Sequence, residues 1–202
     1  MSHDCMSHDW QRGVVRGPRD LHGAVPLVVK LGGSLLAHPG WPAAIAALLA
    51  GYERPLVVVG GGGLVDALRA VDAAGPQPAE MMHRLAIEAM SLAARLVAEA
   101  CGLPIVTSLE PAGGILDVAT WLEASGAGNE LPASWRVTSD SIAATAAHHA
   151  SRGLLLVKSV PPPSSDDDLA SLAAAGWVDD HFPTAAADVQ PIAWAAWAGH
   201  HR

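Results

Sequence analysis

The 202 residues contain two lysines, and each closes a short apolar run of strand type. Lys30 ends Leu27-Val28-Val29-Lys30 ahead of Leu31-Gly32-Gly33-Ser34. Lys158 ends Leu154-Leu155-Leu156-Val157-Lys158 ahead of Ser159. Lysines kept by accident in an arginine-biased chain would fall on solvated helix faces, where an ammonium costs least. At the carboxyl ends of parallel strands they face the crevice in which an open α/β sheet collects ligands. Two ammonium groups there, with a Gly-Gly-Ser turn rich in backbone N–H groups, suit phosphate oxygens.

A second glycine turn, Gly60 to Gly63, follows the run Leu56 to Val59. If the two strands are neighbours, the turns lie side by side and can serve a phosphoryl donor and an acceptor. Phosphoryl transfer asks for in-line positioning and positive charge on the migrating oxygens more than for covalent help. Asp140 falls in the first turn of a helix just before the second lysine strand. It can hold both ammonium groups in register or help place Mg²⁺, besides favouring the helix dipole. Thr138 or Ser139 can cap that helix. Asp66 and Arg69, three apart on the helix after the tetraglycine, share a face near the acceptor. His83 and Glu88 on the next helix are further candidates. Each also reads as ordinary surface chemistry, Asp66 with Arg69 and Glu88 with Arg84 or Arg95.

The elements that must position these groups alternate between strand and helix. The pattern predicts strands over Leu27–Leu31, Leu56–Val59, Ile105–Thr107, Ile115–Val118 and the run ending at Lys158. It predicts helices over Pro42–Ala50, from Gly63 to about Ala74, Glu80–Cys101, a turn over Val118–Ala124, Ser141 to about Ser151, and Leu169–Ala175. The aromatic tail with Trp177, Phe182, Trp194 and Trp197 is expected to close one edge of the sheet. Residues 1–24 repeat Met-Ser-His-Asp and lack hydrophobic periodicity, which predicts a mobile extension before a single domain over 25–202. Its His3, Asp4, His8 and Asp9, and His200 and His201 at the other end, are weak metal candidates beside a solvated reading. The Glu80–Cys101 helix is apolar on several faces, which predicts a homodimer through it.

Composition sets outer limits. Half the residues are hydrophobic, yet no uninterrupted apolar stretch reaches the length of a membrane span. Cys5 and Cys101 are too few for a disulfide framework, and no signal-peptide core follows Met1, so a soluble protein of the cytoplasm is expected. A formal charge of −8, with 20 acidic against 12 basic residues, argues against nucleic acid as a partner. The lysine precedes its glycines, so no Walker-type loop is present. Neither glycine turn has the spacing of a dinucleotide fingerprint.

Val28 to Ser34, Val58 to Gly63, Thr138 to Ser141 and Leu155 to Ser159 together resemble the amino acid kinase superfamily, over about Pro26 to Val189. That resemblance implies a three-layer α/β/α sandwich with a mainly parallel sheet, ATP as phosphoryl donor and Mg²⁺ as its companion. It assigns the donor's phosphates to Lys30, Gly32, Gly33 and Ser34, with Thr138, Ser139 and Ser159 beside them. It sets Gly61, Gly62 and Gly63 at the acceptor with Asp66, Arg69 and His83, and makes Asp140 the residue that orients Lys30 and Lys158. The compact length, Trp135 to Ser141, Leu154 to Ser159, and Gly-Trp-Val-Asp-Asp-His-Phe-Pro at Gly176 to Pro183 resemble the short kinases of methanofuran biosynthesis. These phosphorylate [5-(aminomethyl)furan-3-yl]methyl phosphate to its diphosphate. Many superfamily members carry a second lysine in a later nucleotide loop, where this chain has none. Two other readings stand beside this one: a carboxylate kinase making an acyl phosphate, and a non-catalytic nucleotide- or oxyanion-binding protein on the same fold.

Overall fold

A computed structural model describes residues 10–17, 27–110, 113–164 and 168–197. A seven-stranded sheet in the order β1-β7-β6-β2-β3-β5-β4 forms the middle layer. Its strands are β1 (Trp10–Arg16), β2 (Leu27–Leu31), β3 (Leu56–Val59), β4 (Ile105–Val106), β5 (Gly114–Leu116), β6 (Gly153–Lys158) and β7 (Ile192–Trp197). All neighbours are parallel except β1, which pairs antiparallel with β7. The helices are α1 (Trp41–Leu49), α2 (Gly63–Ala74), α3 (Ala79–Cys101), α4 (Val118–Ser125), α5 (Ser139–His149), α6 (Leu169–Ala174) and α7 (Phe182–Ala185).

Strands β2, β3 and β6 are buried along nearly their whole length because helices cover both faces, which is why they read as continuous apolar runs. Alternate side chains feed two cores. Val28, Val58, Leu154 and Leu156 meet α4, α5 and the tail aromatics on one face. Val29, Leu31, Val57 and Val157 meet α1 and the small residues Ala93, Ala94 and Val97 of α3 on the other. Helix α3 ends as a glycine stop predicts, with Gly102 at φ 64° and the Leu103 N–H donating to the Ala98 carbonyl at 3.0 Å.

Three expectations need correction. Trp10–Arg16, expected within a mobile extension, is an edge strand of the sheet. Its Gln-Arg-Gly interior hides the strand period, and its register comes from β7: Gly13 faces Trp194, whose indole occupies the space a Cβ would need. Consequently the tail strand β7 lies inside the sheet rather than at its edge. The strands around Gly113 are also shorter than expected, β4 having two residues and β5 three. The Met1–Asp9 repeat and His200–His201 lie outside the described residues, and among the described residues no helix is long and apolar enough to cross a membrane.

Candidate active site

Strands β2 and β6 are adjacent, with Lys30 opposite Leu156, so Lys158 two residues on projects from the same face. Asp140, in the first turn of α5, reaches between them. Lys30 Nζ lies 2.8 Å from Asp140 Oδ1 and Lys158 Nζ lies 2.9 Å from Asp140 Oδ2. Lys30 and Asp140 are each only 5% exposed. Lys30 faces Oδ1 as a buried ion pair, and Lys158 donates a hydrogen bond to Oδ2. Lys158 also donates to the Trp177 carbonyl and sits 4.9 Å above the Trp177 ring.

The triad carries one positive charge in excess. Burial pushes the Asp140 carboxyl up, but the two ammonium groups outweigh it and hold the group below the usual carboxylate range. Burial and then repulsion from Lys30 bring Lys158 down to about 8, against the pull of Asp140 and Asp179. A desolvated cationic cluster of this kind gains from an arriving anion, since the anion supplies the missing counter-charge.

The glycines explain how two turns can share so small a space. Gly32 N–H donates to the Val157 carbonyl at 2.7 Å and Gly60 N–H to the Leu31 carbonyl at 2.8 Å, extending the sheet ladder into both turns. Gly33 and Gly62 then touch backbone to backbone. A Cβ on Gly33 would overlap Gly62 N and the Gly60 carbonyl, and Gly62 itself has φ 52°. A Cβ on Gly60 would lie 2.7 Å from Ser139 Oγ, so the start of α5 closes the same junction. Ser34 Oγ and Ser159 Oγ are 3.3 Å apart across the ends of β2 and β6. The second glycine turn runs straight into α2, whose first N–H groups, those of Leu64, Val65 and Asp66, donate back to the Gly61 and Gly62 carbonyls.

Beside it lies a cavity of about 240 Å³ whose wall includes Gly33, Ser34, Gly61, Gly62, Asp66, Arg69, His83, Thr138 and Ser139. Gly32, Gly63 and Ser159 are not on that wall. Arg69 donates to Asp66 at 2.9 Å and lies 5.1 Å over the Trp135 ring, whose Nε1 donates to Asp72 at 2.8 Å. Burial holds His83 below the ordinary imidazole value, with a partial offset from a hydrogen bond to the Ser134 backbone, so it faces the cavity neutral at pH 7. Glu88 is instead on the exposed side of α3, 3.9 Å from Arg84, while Arg95 pairs with Asp117 at 3.8 Å.

Residues 26–161, more than half of the chain, match the amino acid kinase family. The chain belongs to this family. Its fold also superposes on the crystal structure of uridylate kinase from Archaeoglobus fulgidus. The TM-score is 0.51 at 18% identity, over 86% of this chain and 91% of that one. No curated protein sequence matches it significantly. Family membership makes this chain a kinase, and the two-lysine, two-glycine-turn crevice is its candidate phosphotransferase centre.

Several groups in this kinase site were not predicted from the sequence. Asp179 accepts from Thr138 N at 2.9 Å, Thr138 Oγ1 at 2.8 Å and Ser141 N at 3.0 Å, and also from Ser141 Oγ and His181 N. Thr138, expected to bind phosphate, therefore commits both its N–H and its hydroxyl proton to Asp179, while Ser139 keeps its hydroxyl at the glycine junction. Trp135 and Trp177 were legible only as aromatics, because their partners stand 63 and 19 residues away. The run Gly176 to Pro183 was the one available signal for Asp179.

Proposed function

We propose that this member of the family is an ATP-dependent kinase that transfers the γ-phosphoryl group to the phosphate of a small phosphomonoester, forming a diphosphate. The observation that carries this reading is the Lys30–Asp140–Lys158 cluster, with its excess positive charge, placed between two glycine turns. An acceptor phosphate oxygen attacks the γ-phosphorus, the bond to the β–γ bridging oxygen breaks, and ADP leaves with that electron pair. Lys30 and Lys158 neutralise charge on the transferring oxygens, and the backbone N–H groups of the turns fix the phosphates. Both Asp140 oxygens face ammonium groups, and among the described residues no cluster of three metal-binding side chains occurs. Mg²⁺ thus fits as an ion carried on the triphosphate, where it would shield the β- and γ-oxygens.

The acceptor we favour is [5-(aminomethyl)furan-3-yl]methyl phosphate, in methanofuran-type cofactor synthesis. A cavity of about 240 Å³ with Arg69 for a phosphate, Asp66 for an ammonium and the flat Trp135 ring suits a molecule of that size and charge. Two of the segments that resemble the methanofuran kinases, Trp135 to Ser141 and Gly176 to Pro183, also meet through Asp179. The test is incubation with ATP, Mg²⁺ and a panel of phosphomonoesters led by this furan and including uridylate. ADP and the diphosphate product are read by mass spectrometry. Product with the furan is expected, and Lys30→Met should lower kcat by about 10²–10³-fold. Undiminished turnover in Lys30→Met would defeat the mechanism, and product only with another acceptor would defeat the substrate assignment.

The same reading includes a homodimer through α3. Leu92 is 57% and Leu96 53% exposed, and with Leu85 and Ala89 they form a stripe at three- and four-residue spacing. Antiparallel pairing of two α3 helices that sets Leu85 against Leu96 and Ala89 against Leu92 also brings Glu88 beside Arg95 of the second copy, so the charges complement the apolar seam. A Leu92→Glu, Leu96→Glu double variant is expected to sediment as a monomer while the parent sediments as a dimer. A monomeric parent, or an unchanged variant, would exclude this interface.

A further inference from the structure

We propose that Asp179 is a positioning residue for phosphoryl transfer, holding the first turn of α5 so that Asp140 stays between Lys30 and Lys158. The inference rests on the kinase reading and adds a residue from the short segment between α6 and α7. Three features point to it.

First, Asp179 fills the N-terminus of α5 from outside the helix. It takes the N–H and hydroxyl protons of both Thr138 and Ser141 on either side of Asp140. Thr138 Oγ1, while donating to Asp179, accepts the Asp140 N–H at 3.4 Å, so the backbone of Asp140 is tied to the same carboxylate through one hydroxyl. A helix N-terminus attracts an anion, and here that anion is supplied by the protein itself.

Second, Asp140 meets both lysines with one carboxylate, Lys30 at 2.8 Å from Oδ1 and Lys158 at 2.9 Å from Oδ2, so a shift of its backbone loosens both contacts at once. Asp179 holds that backbone.

Third, the same segment receives the other end of the cluster. Lys158 donates to the Trp177 carbonyl and stacks on the Trp177 ring, and Trp177 Nε1 donates to the Val160 carbonyl at 3.1 Å. Residues 177–179 therefore register α5 and the end of β6 against each other. The charged groups acting on Lys158 are Lys30 from β2, Asp140 from α5 and Asp179 from this segment, and of these only Lys30 opposes its protonation.

The chain's two lysines make the test direct. Full-length protein with isotopically labelled lysine gives two side-chain NMR signals, assigned with Lys30→Met and followed through a pH titration. In the parent, Lys158 should titrate near pH 8. In Asp179→Asn its midpoint should move to lower pH. The kcat measured with the acceptor the parent turns over should fall about 10- to 100-fold, with KM little changed. If Asp179→Asn only lowers the melting temperature and leaves the midpoint and kcat at parental values, Asp179 is a helix cap and the proposal is overturned. Should that variant not fold, a Thr138→Val, Ser141→Ala double variant keeps the charge and removes two donors. It is expected to lower kcat and, because Asp140 is then no longer held against Lys158, to move the Lys158 midpoint to lower pH; parental values of both overturn the proposal. If the parent turns over no acceptor, the kinase reading fails separately, and the Lys158 midpoint in the double variant, which keeps the Asp179 charge, still decides whether Asp179 holds the cluster.

Discussion

Asp140→Asn is expected to abolish turnover and to lower unfolding stability by about 3–5 kcal/mol, as seen when one member of a buried ion pair is removed. The amide leaves two ammonium groups facing each other in a site where Lys30 is 5% exposed. Lys158, already drawn down to about 8, then loses its nearest counter-charge and discharges at neutral pH. Denaturant unfolding over a pH series checks the cause as well as the size. Because the Asp140 carboxyl is held below its ordinary value in the folded state, its contribution is present above the ordinary carboxylate range and is lost as pH falls through the folded value. On the alkaline side the contribution shrinks once Lys158 loses its proton. The stability gap between parent and variant should therefore be widest between these limits and narrow on both sides. A gap that is flat with pH would show that packing, not charge, holds the cluster.

Gly33→Ala is expected to be nearly as damaging, although its chemistry is minimal. The added methyl would overlap Gly62 N and the Gly60 carbonyl, both backbone atoms that no rotamer change can move. Relief requires the two glycine turns to separate, which breaks the Gly60 N–H to Leu31 carbonyl bond or displaces α2. A loss of roughly 3 kcal/mol, at the upper end for overpacking, is expected together with loss of nucleotide-dependent turnover. Gly63→Ala is the matched control. Nothing lies within 4 Å of a Cβ there, and the residue opens α2, so this change should be neutral or stabilising by about 0.5–1 kcal/mol. Thermal melts of the two variants side by side measure the difference. Equal melting temperatures would mean that the turns are not in the backbone contact that defines the site.

The fold class was legible because burial on both faces leaves an unmistakable mark: Leu27–Leu31, Leu56–Val59 and Gly153–Lys158 can be continuous apolar runs only if helices cover the sheet on each side. The edge strand β1 left no such mark. No residue of it is fully buried, Gln11, Arg12 and Gly13 interrupt its apolar residues, and its register depends on a partner about 180 residues later. Sequence reasoning likewise placed Asp66 beside Arg69, because helix spacing fixes which residues share a face, whereas on the next helix it could not choose between His83, which lines the cavity, and Glu88, which does not. It left Trp135 out, since its tie to Asp72 spans two unconnected elements.

The sequence by itself determined the elements and the chemical inventory: two lysines at strand ends, two glycine turns, and an aspartate in the first turn of a helix. Each follows from local periodicity or from a residue type confined to few environments. Only the tertiary structure decided how the charges balance and what holds them. The ion pairs of Asp140 join three elements, and the anion that steadies α5 is Asp179, 41 residues after the Thr138 N-cap it bonds. Contacts of that kind depend on strand order and helix placement, and neither leaves a local trace in the chain.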